Sequence, residues 1–540
     1  MPTGRRWGGF PVVRSNAVDL RERLRSLDIG ATLAVAMAAV GLFAMGVVAA
    51  APRSPYQPVL TPNGQPEGVL RDLAVAIGLD RLHGNPQLFV AVVVSVLAVG
   101  AFLLLLRATF RGRVSVRAVA GLVVGAHAML LFVPLLFSRD VYSYAFYGRI
   151  GGIYGGNPYV ETPLDHSGDL LWHYVGPKWV DTPAVYGPAW NTFSSALSRF
   201  LPRPVDHVEA YRFLAIATSL LTCVAIVWVV RGLWPGRTAF ALAAFGANPV
   251  VLFHSAASGH NDLLVALSIV VALGLLVRNR ELAAIAVLTL GALVKATALL
   301  PLALLLVWCV ARRPPGERRR ALLTHLGLPV GMAFVFALPY LQLHDPTLGM
   351  LELAGHEGWL APSASIARVL DFLSFHTLGW VARVVFDVVL LVAVVALGRE
   401  VWRRAPSLSF RGQAAAWGWA LVLMTLLGPV LLPWYVVWAL PLVWVLPRVP
   451  RTALLATSAM MAVTLWSAEP LRFPGAFDVD LFVGRFLVTP VMLVLLVNAL
   501  LDLRSRLRVG FSLEDEDSTP AVVTLADEPQ HQERIAAATG

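Results

Sequence analysis

Residues 118–137, AVAGLVVGAHAMLLFVPLLF, form an uncharged apolar run that leads directly into SRDVYSYAFYGRIGGIYGGNPY at 138–159. Twenty apolar residues at the helical rise of 1.5 Å reach about 30 Å, the thickness of a bilayer's hydrocarbon core. Backbone amides in lipid must bond within their own element, so a continuous apolar run of this kind reads as a helix and not as a barrel strand, which would alternate. The abrupt return of charge, tyrosine and glycine marks the point where the membrane meets water. It leaves one carboxylate, Asp140, at that edge, where an acid is costly unless it is solvated, paired or used.

The same pattern repeats along the chain. Apolar runs lie near 31–50, 88–106, 211–230, 238–257, 262–277, 321–341, 378–398, 413–432, 435–447, 453–466 and 481–500. Residues 281–311 read as two short helices meeting near Lys295. Of the 540 residues, 57% are hydrophobic and 14% charged, which excludes an ordinary soluble domain. The predicted fold class is an all-α polytopic integral membrane protein with about 13–14 transmembrane or half-membrane helices.

The net charge of +10 does not point to nucleic acid, because the arginines sit in short clusters between apolar runs. Arg107 to Arg117, Arg231/Arg237, Arg278/Arg280, Arg312 to Arg320, Arg399 to Arg411 and Arg448/Arg451 mark cytoplasmic links by the positive-inside rule. Three regions are predicted: a cytoplasmic segment 1–29, a transmembrane domain 30–510, and an acidic cytoplasmic tail 511–540 too poor in apolar residues to fold. Both termini fall inside. Segment 138–210 falls outside as a large extracytoplasmic loop, far longer than a connection needs to be; loops 342–377 and 467–480 fall outside with it. Cys223 and Cys309 both lie in apolar runs and imply neither a disulfide framework nor a thiolate metal site.

The residues with chemical potential gather on the outer side. Asp140 can take a proton from an attacking hydroxyl. Tyr142, Tyr144 and Tyr159 offer ring faces for a sugar or for an interfacial belt. Asn157 and Tyr186 fall in segments that read as shaped loop and pocket wall, NPY at 157–159 and VYGPAW at 185–190. His260, Asn261 and Asp262 stand together at one outer helix junction with His254 nearby, suited to binding a substrate or to capping the helix start. Lys295 has no charged neighbour in sequence and would aim an ammonium at an anion such as a lipid phosphate, with Arg139, Arg149 and Lys178 as co-ligands. Trp434 and Tyr435 stand at an outer turn, as anchors or as substrate contacts. Asp165, His166, Asp169 and His173 match no metal-ligand spacing, so no metal and no cofactor is predicted. The glycines at 151–156 lack the strand-to-helix context of a nucleotide fingerprint.

Taken in order, SRDVYSYAFYGRI (138–150), NPY (157–159), DTPAVYGPAW (181–190), GHND (259–262), LVKAT (293–297) and PWYVVW (433–438) resemble the actinobacterial polyprenol-phosphate-mannose-dependent α-1,6-mannosyltransferases. These belong to the C-type glycosyltransferase superfamily of multi-helix membrane enzymes, and the likeness runs over roughly 30–500. The resemblance implies a polyprenyl-phosphate mannose donor, a glycan or glycolipid acceptor, an extracytoplasmic site in the plasma membrane, inversion to an α-linkage, and Asp140 as the base. The stretch 145–156, AFYGRIGGIYGG, departs from the small apolar run expected in that family and leaves the acceptor and the sugar open. The rival reading, a lipid-linked sugar or polysaccharide transporter, would call for repeated interrupted helices, which the sequence does not display.

Overall fold

The computed structural model describes residues 28–58, 68–341, 360–375, 377–464, 473, 475–509 and 513. The expectations for the N-terminal segment before Asp28, for most of loop 342–377, for 467–472 and for nearly all of the acidic tail lie outside these residues. Among the described residues every regular element is a helix, and no strand occurs. Six helices are long and apolar enough to cross a bilayer: Ile29–Ala50, Asn85–Phe110, Pro204–Leu233, Pro315–Tyr340, Gly379–Arg404 and Gly484–Arg508. A bent pair, Pro235–Gly246 with Val250–Ala256, makes a seventh, and four shorter apolar helices accompany them. The chain is a multi-pass membrane protein.

The chain divides into two compact units. The first contains the described residues up to Val141, residues 208–260 and part of 462–477. Its helices Ile29–Ala50 and Asn85–Phe110 pack closely. A Cβ at Gly41 would lie 2.9 Å from the Ala98 Cα, so only glycine permits this approach, the small-residue contact that membrane helices use in place of a hydrophobic driving force. Thr238–Gly246 packs on both Asn85–Phe110 and Val116–Leu130.

The second unit holds Tyr142–His207, Asn261–Met461 and the described residues from Asp478 onward. Asp262–Val277 packs along Glu281–Val294, which in turn contacts Arg318–Ala337. Gly379–Arg404 packs on Pro362–Leu373, Leu299–Ala311 and Phe410–Leu427, and it exposes Leu391, Val392 and Val395 on its other face, as a helix beside lipid should.

Several predicted spans have a different local form, and proline accounts for them. The run 118–137 is helical only through Leu130, with Pro134 in the irregular stretch that follows. The run 238–257 bends by 42° around Pro249 and continues as a π-helical turn. The run 435–447 is not a regular α-helix; Pro433 and Pro441 open the short 3-10 helices Pro433–Trp438 and Leu440–Leu442. Each ring removes an amide donor from the helical ladder and fixes φ, so the regular α-helix stops or kinks there.

Candidate functional site

Two clusters carry the predicted site residues, one in each unit. In the first unit the chain leaves the apolar run at Phe137, whose φ of 54° is a left-handed conformation rare for a bulky residue. Phe137 is held there by its amide bond to the Tyr56 carbonyl at 2.7 Å and by stacking on the buried His254 ring, centroids 3.9 Å apart. Tyr56 is in turn anchored, its hydroxyl bonding the Ala91 carbonyl at 2.9 Å and Ser95 Oγ at 2.6 Å. The reversed backbone at Phe137 turns Ser138 so that its Oγ accepts the Asp140 amide at 3.1 Å, and Asp140 opens the helix Asp140–Gly152. A carboxylate in the first helical turn is stabilised by the positive end of the helix dipole.

The second arm of this cluster descends from the π-helical turn Val250–Ala256. Gly259 has φ of +73°, and a Cβ there would lie 2.6 Å from Val141 Cγ1, so glycine is required both for the turn and for the approach. The next residue, His260, is buried and sets Nδ1 3.6 Å from Asp140 Oδ2, while the Asp140 side chain stays 21% exposed. Arg212 fixes the frame, donating to the carbonyls of Ala257 at 3.2 Å, Leu130 at 3.0 Å and Val133. The arrangement can hold a reachable carboxylate beside an imidazole, as proton abstraction requires.

In the second unit, Lys295 sits at the break between Glu281–Val294 and Leu299–Ala311, in extended backbone with φ of −151°. Its Nζ reaches Asp262 Oδ1 at 2.7 Å and lies 4.3 Å from the Tyr435 ring centroid and 5.3 Å from that of Trp438. The same Oδ1 accepts Trp438 Nε1 at 2.7 Å. Tyr435 and Trp438 stack with centroids 4.3 Å apart, because residues three apart eclipse in a 3-10 helix. Lys295 therefore has a charged neighbour after all, supplied by tertiary contact across 33 positions. Trp438, flagged in sequence only as part of an aromatic turn, joins the cluster, while Trp434 meets Tyr435 edge-on with centroids 6.3 Å apart.

The remaining predicted residues shape the surroundings. Tyr144 lies edge-on to Tyr186 and Trp190 and approaches Asn261 Oδ1 at 3.5 Å. Tyr142 stacks on Tyr174 with centroids 5.3 Å apart. Tyr159 donates its hydroxyl to the Tyr186 carbonyl at 2.6 Å, and Asn157 bonds the Tyr159 amide at 3.0 Å and the Tyr340 carbonyl at 2.9 Å. Burial pushes the Tyr159 hydroxyl pKa up, so it stays a neutral donor. Arg149 is paired with buried Asp169 at 2.8 Å. Arg139 is half-buried and Lys178 exposed, the latter in the short turn Pro177–Trp179.

Two clusters carry residue types that can ligate a metal. In the loop, Asp169 is occupied by Arg149 and His166 faces Glu161 at 2.8 Å. Elsewhere Glu281, Cys309 and His325 place ligand atoms within 4.8 Å of one another, but the Glu281 carboxylate is already bound by the Arg312 and Arg313 guanidinium groups. Two fixed cations there oppose a third, and the donor set does not fit a metal ion.

The family profile described as "Alpha-(1->6)-mannopyranosyltransferase, N-terminal domain" matches residues 32–312, an interval that contains Asp140, His260, Asp262 and Lys295. Over 359 residues the chain is 29% identical to alpha-(1->6)-mannopyranosyltransferase A of Mycobacterium tuberculosis, covering 63% of this chain and 66% of that protein. Over 174 residues it is 30% identical to alpha-(1->6)-mannopyranosyltransferase A of Corynebacterium glutamicum, covering 32% of this chain and 35% of that protein. The chain thus spans just under two thirds of the first relative's length and about a third of the second's. No solved structure matches it.

Proposed function

Because the chain belongs to the α-(1→6)-mannopyranosyltransferase family, we propose that it transfers a mannosyl unit from a polyprenyl-phosphate mannose to a glycan or glycolipid acceptor at the extracytoplasmic face of the plasma membrane. The observation that carries this reading is the reachable Asp140 carboxylate, set by a left-handed Phe137 and the first helical turn beside His260. In this mechanism the acceptor hydroxyl attacks the anomeric carbon, its proton passes to Asp140, and the bond to the phosphate oxygen breaks with inversion. The polyprenyl phosphate leaves with the electron pair. Lys295, Arg139 and Lys178 are the cations assigned to the growing negative charge, since fixed positive charge is worth most where charge develops. Arg149 is held by Asp169 as Lys295 is held by Asp262, so each enters this scheme as one half of an ion pair. The arginine-rich links between apolar runs support an outward-facing Asp140 by the positive-inside rule.

Asp140→Asn keeps the shape of the side chain and removes its basicity. In membranes supplied with labelled polyprenyl-phosphate mannose, it should lower transfer by at least 100-fold, the lower end of what a positioned general base contributes, while leaving expression unchanged. Turnover retained in this variant sinks the assignment. Movement of intact lipid across the membrane by the wild-type protein, without sugar transfer, would establish the transporter instead.

A further inference from the structure

The Asp262 carboxylate is bonded on one side only. Oδ1 accepts two strong donors at 2.7 Å each, Lys295 Nζ and Trp438 Nε1, while Oδ2 is buried and has no hydrogen-bond partner among the described residues. Asp262 is 0% exposed, so water in bulk does not satisfy that oxygen. One residue earlier, Asn261 is 2% exposed and its Nδ2 is a buried donor in the same condition. Leaving a buried polar atom unbonded costs about 1–3 kcal/mol, more for a charged one, so such an atom in a native fold calls for an explanation, a bound ligand among them.

We propose that Asp262 Oδ2 is the acceptor for a sugar hydroxyl, making Asp262 a specificity-determining residue of the transfer reaction; the proposal rests on the mannosyl-transfer reading above. The chemistry selects the ligand. A carboxylate oxygen needs a donor, which excludes a phosphate oxygen as its partner, and it lies beside an ammonium that requires an oxygen. A hydroxyl is both donor and acceptor, and a sugar presents several of them beside an apolar ring face. Lys295 and Trp438 fix the carboxylate plane through Oδ1, and the ammonium is itself set against the faces of Tyr435 and Trp438. The free oxygen therefore points in one direction, and a site built to bond a hydroxyl rejects an analogue that lacks it.

The test compares the parent polyprenyl-phosphate mannose with each of its monodeoxy mannosyl analogues, and separately a mannoside acceptor with its monodeoxy forms. Initial rates are measured on detergent-solubilised wild-type protein and on Asp262→Asn of matched folded fraction. The wild type should lose roughly 10- to 100-fold in kcat/KM when one particular hydroxyl is removed. In Asp262→Asn the parent rate should fall by a similar factor, and the discrimination at that one position should collapse towards unity while the other positions keep theirs. Sensitivity in the donor series puts the hydroxyl on the transferred sugar, and sensitivity in the acceptor series puts it on the acceptor. A wild type that transfers mannose equally well from every deoxy donor to every deoxy acceptor overturns the subsite and leaves the transferase reading standing, as does unchanged discrimination in Asp262→Asn. Absence of any transfer by the wild type overturns both.

Discussion

Two acid–base pairs of the second unit, each with a fully buried carboxylate, differ in how the carboxylate oxygens are used. Asp169 is bonded on both oxygens: Oδ2 accepts Arg149 Nε at 2.8 Å and the Tyr154 hydroxyl at 2.5 Å, and Oδ1 accepts the Leu171 amide at 2.8 Å. Asp262 puts both of its donors on Oδ1 and leaves Oδ2, fully buried, with no hydrogen-bond partner among the described residues. Both side chains are 0% exposed, so burial does not distinguish them. The first pair closes on itself and organises the loop after Asp140–Gly152; the second keeps one buried oxygen for the sugar hydroxyl proposed above. A buried ion pair is weak evidence for stability and weaker evidence for function until its remaining lone pairs are counted.

The same substitution at the two acids should separate them. Asp169→Asn turns one bonded oxygen into an amide facing a donor and strands the Arg149 charge, and breaking a buried pair in this way costs about 3–5 kcal/mol. Asp262→Asn strands the Lys295 charge too, but it can keep its carbonyl towards Lys295 and Trp438 and place the amide where no donor stands among the described residues, so its cost should fall below that of Asp169→Asn. Thermal unfolding of the detergent-solubilised variants reads the difference. Equal losses would erase the distinction between a structural pair and a substrate-binding one.

Acid should act on the first pair at lower cost to the rest of the fold. Burial opposes the charged form of Asp169, but the Leu171 amide, the Tyr154 hydroxyl and the Arg149 guanidinium outweigh it and hold the carboxyl below the usual carboxylate range. A folded pKa below the unfolded value of about 3.9 gives stability that is complete above that pH and is lost as pH falls through the folded value. The unfolding temperature of the wild type should therefore drop more steeply below about pH 4 than that of Asp169→Asn, which has no such group to protonate. Parallel curves would mean that other carboxylates govern the acid limb.

What the sequence disclosed about these regions follows the range of the forces involved. The all-helical membrane fold, the edge at Asp140 and the interruption at Lys295 are local: each is a run of apolar residues ended by a charge, and the structure has helices ending and starting there. The partner of Lys295 was hidden because it lies 33 positions away on another helix. Trp438 was within reach, since a stretch bounded by Pro433 and Pro441 disfavours a long α-helix, and in a 3-10 turn Tyr435 and Trp438 share a face. The left-handed Phe137, its stack on His254 and the carbonyl clamp of Arg212 had no such signal. They are tertiary contacts that hold one carboxylate in place, and neither periodicity nor spacing encodes them.

Trp438 offers the smallest and most selective perturbation of the contrast. Phe at this position keeps a ring face for the Lys295 ammonium but removes the Nε1 donor, so Asp262 Oδ1 is left with one partner in place of two. The loss of one hydrogen bond to a charged group predicts about 1.5 kcal/mol of stability, less than Asp169→Asn or Asp262→Asn, each of which also strands a cation. Its sharper consequence is angular. With a single point of attachment the carboxylate can rotate about its terminal torsion, whose preference is broad, and the two oxygens cease to be distinct. Trp438→Phe should consequently blur the discrimination between parent and deoxy sugars while its kcat on the parent falls only a few-fold, the opposite of what Asp140→Asn does. Measuring both parameters for Trp438→Phe tests whether the indole orders the acid or merely packs against it: a variant that loses stability yet keeps full discrimination would show that Lys295 alone sets the carboxylate plane.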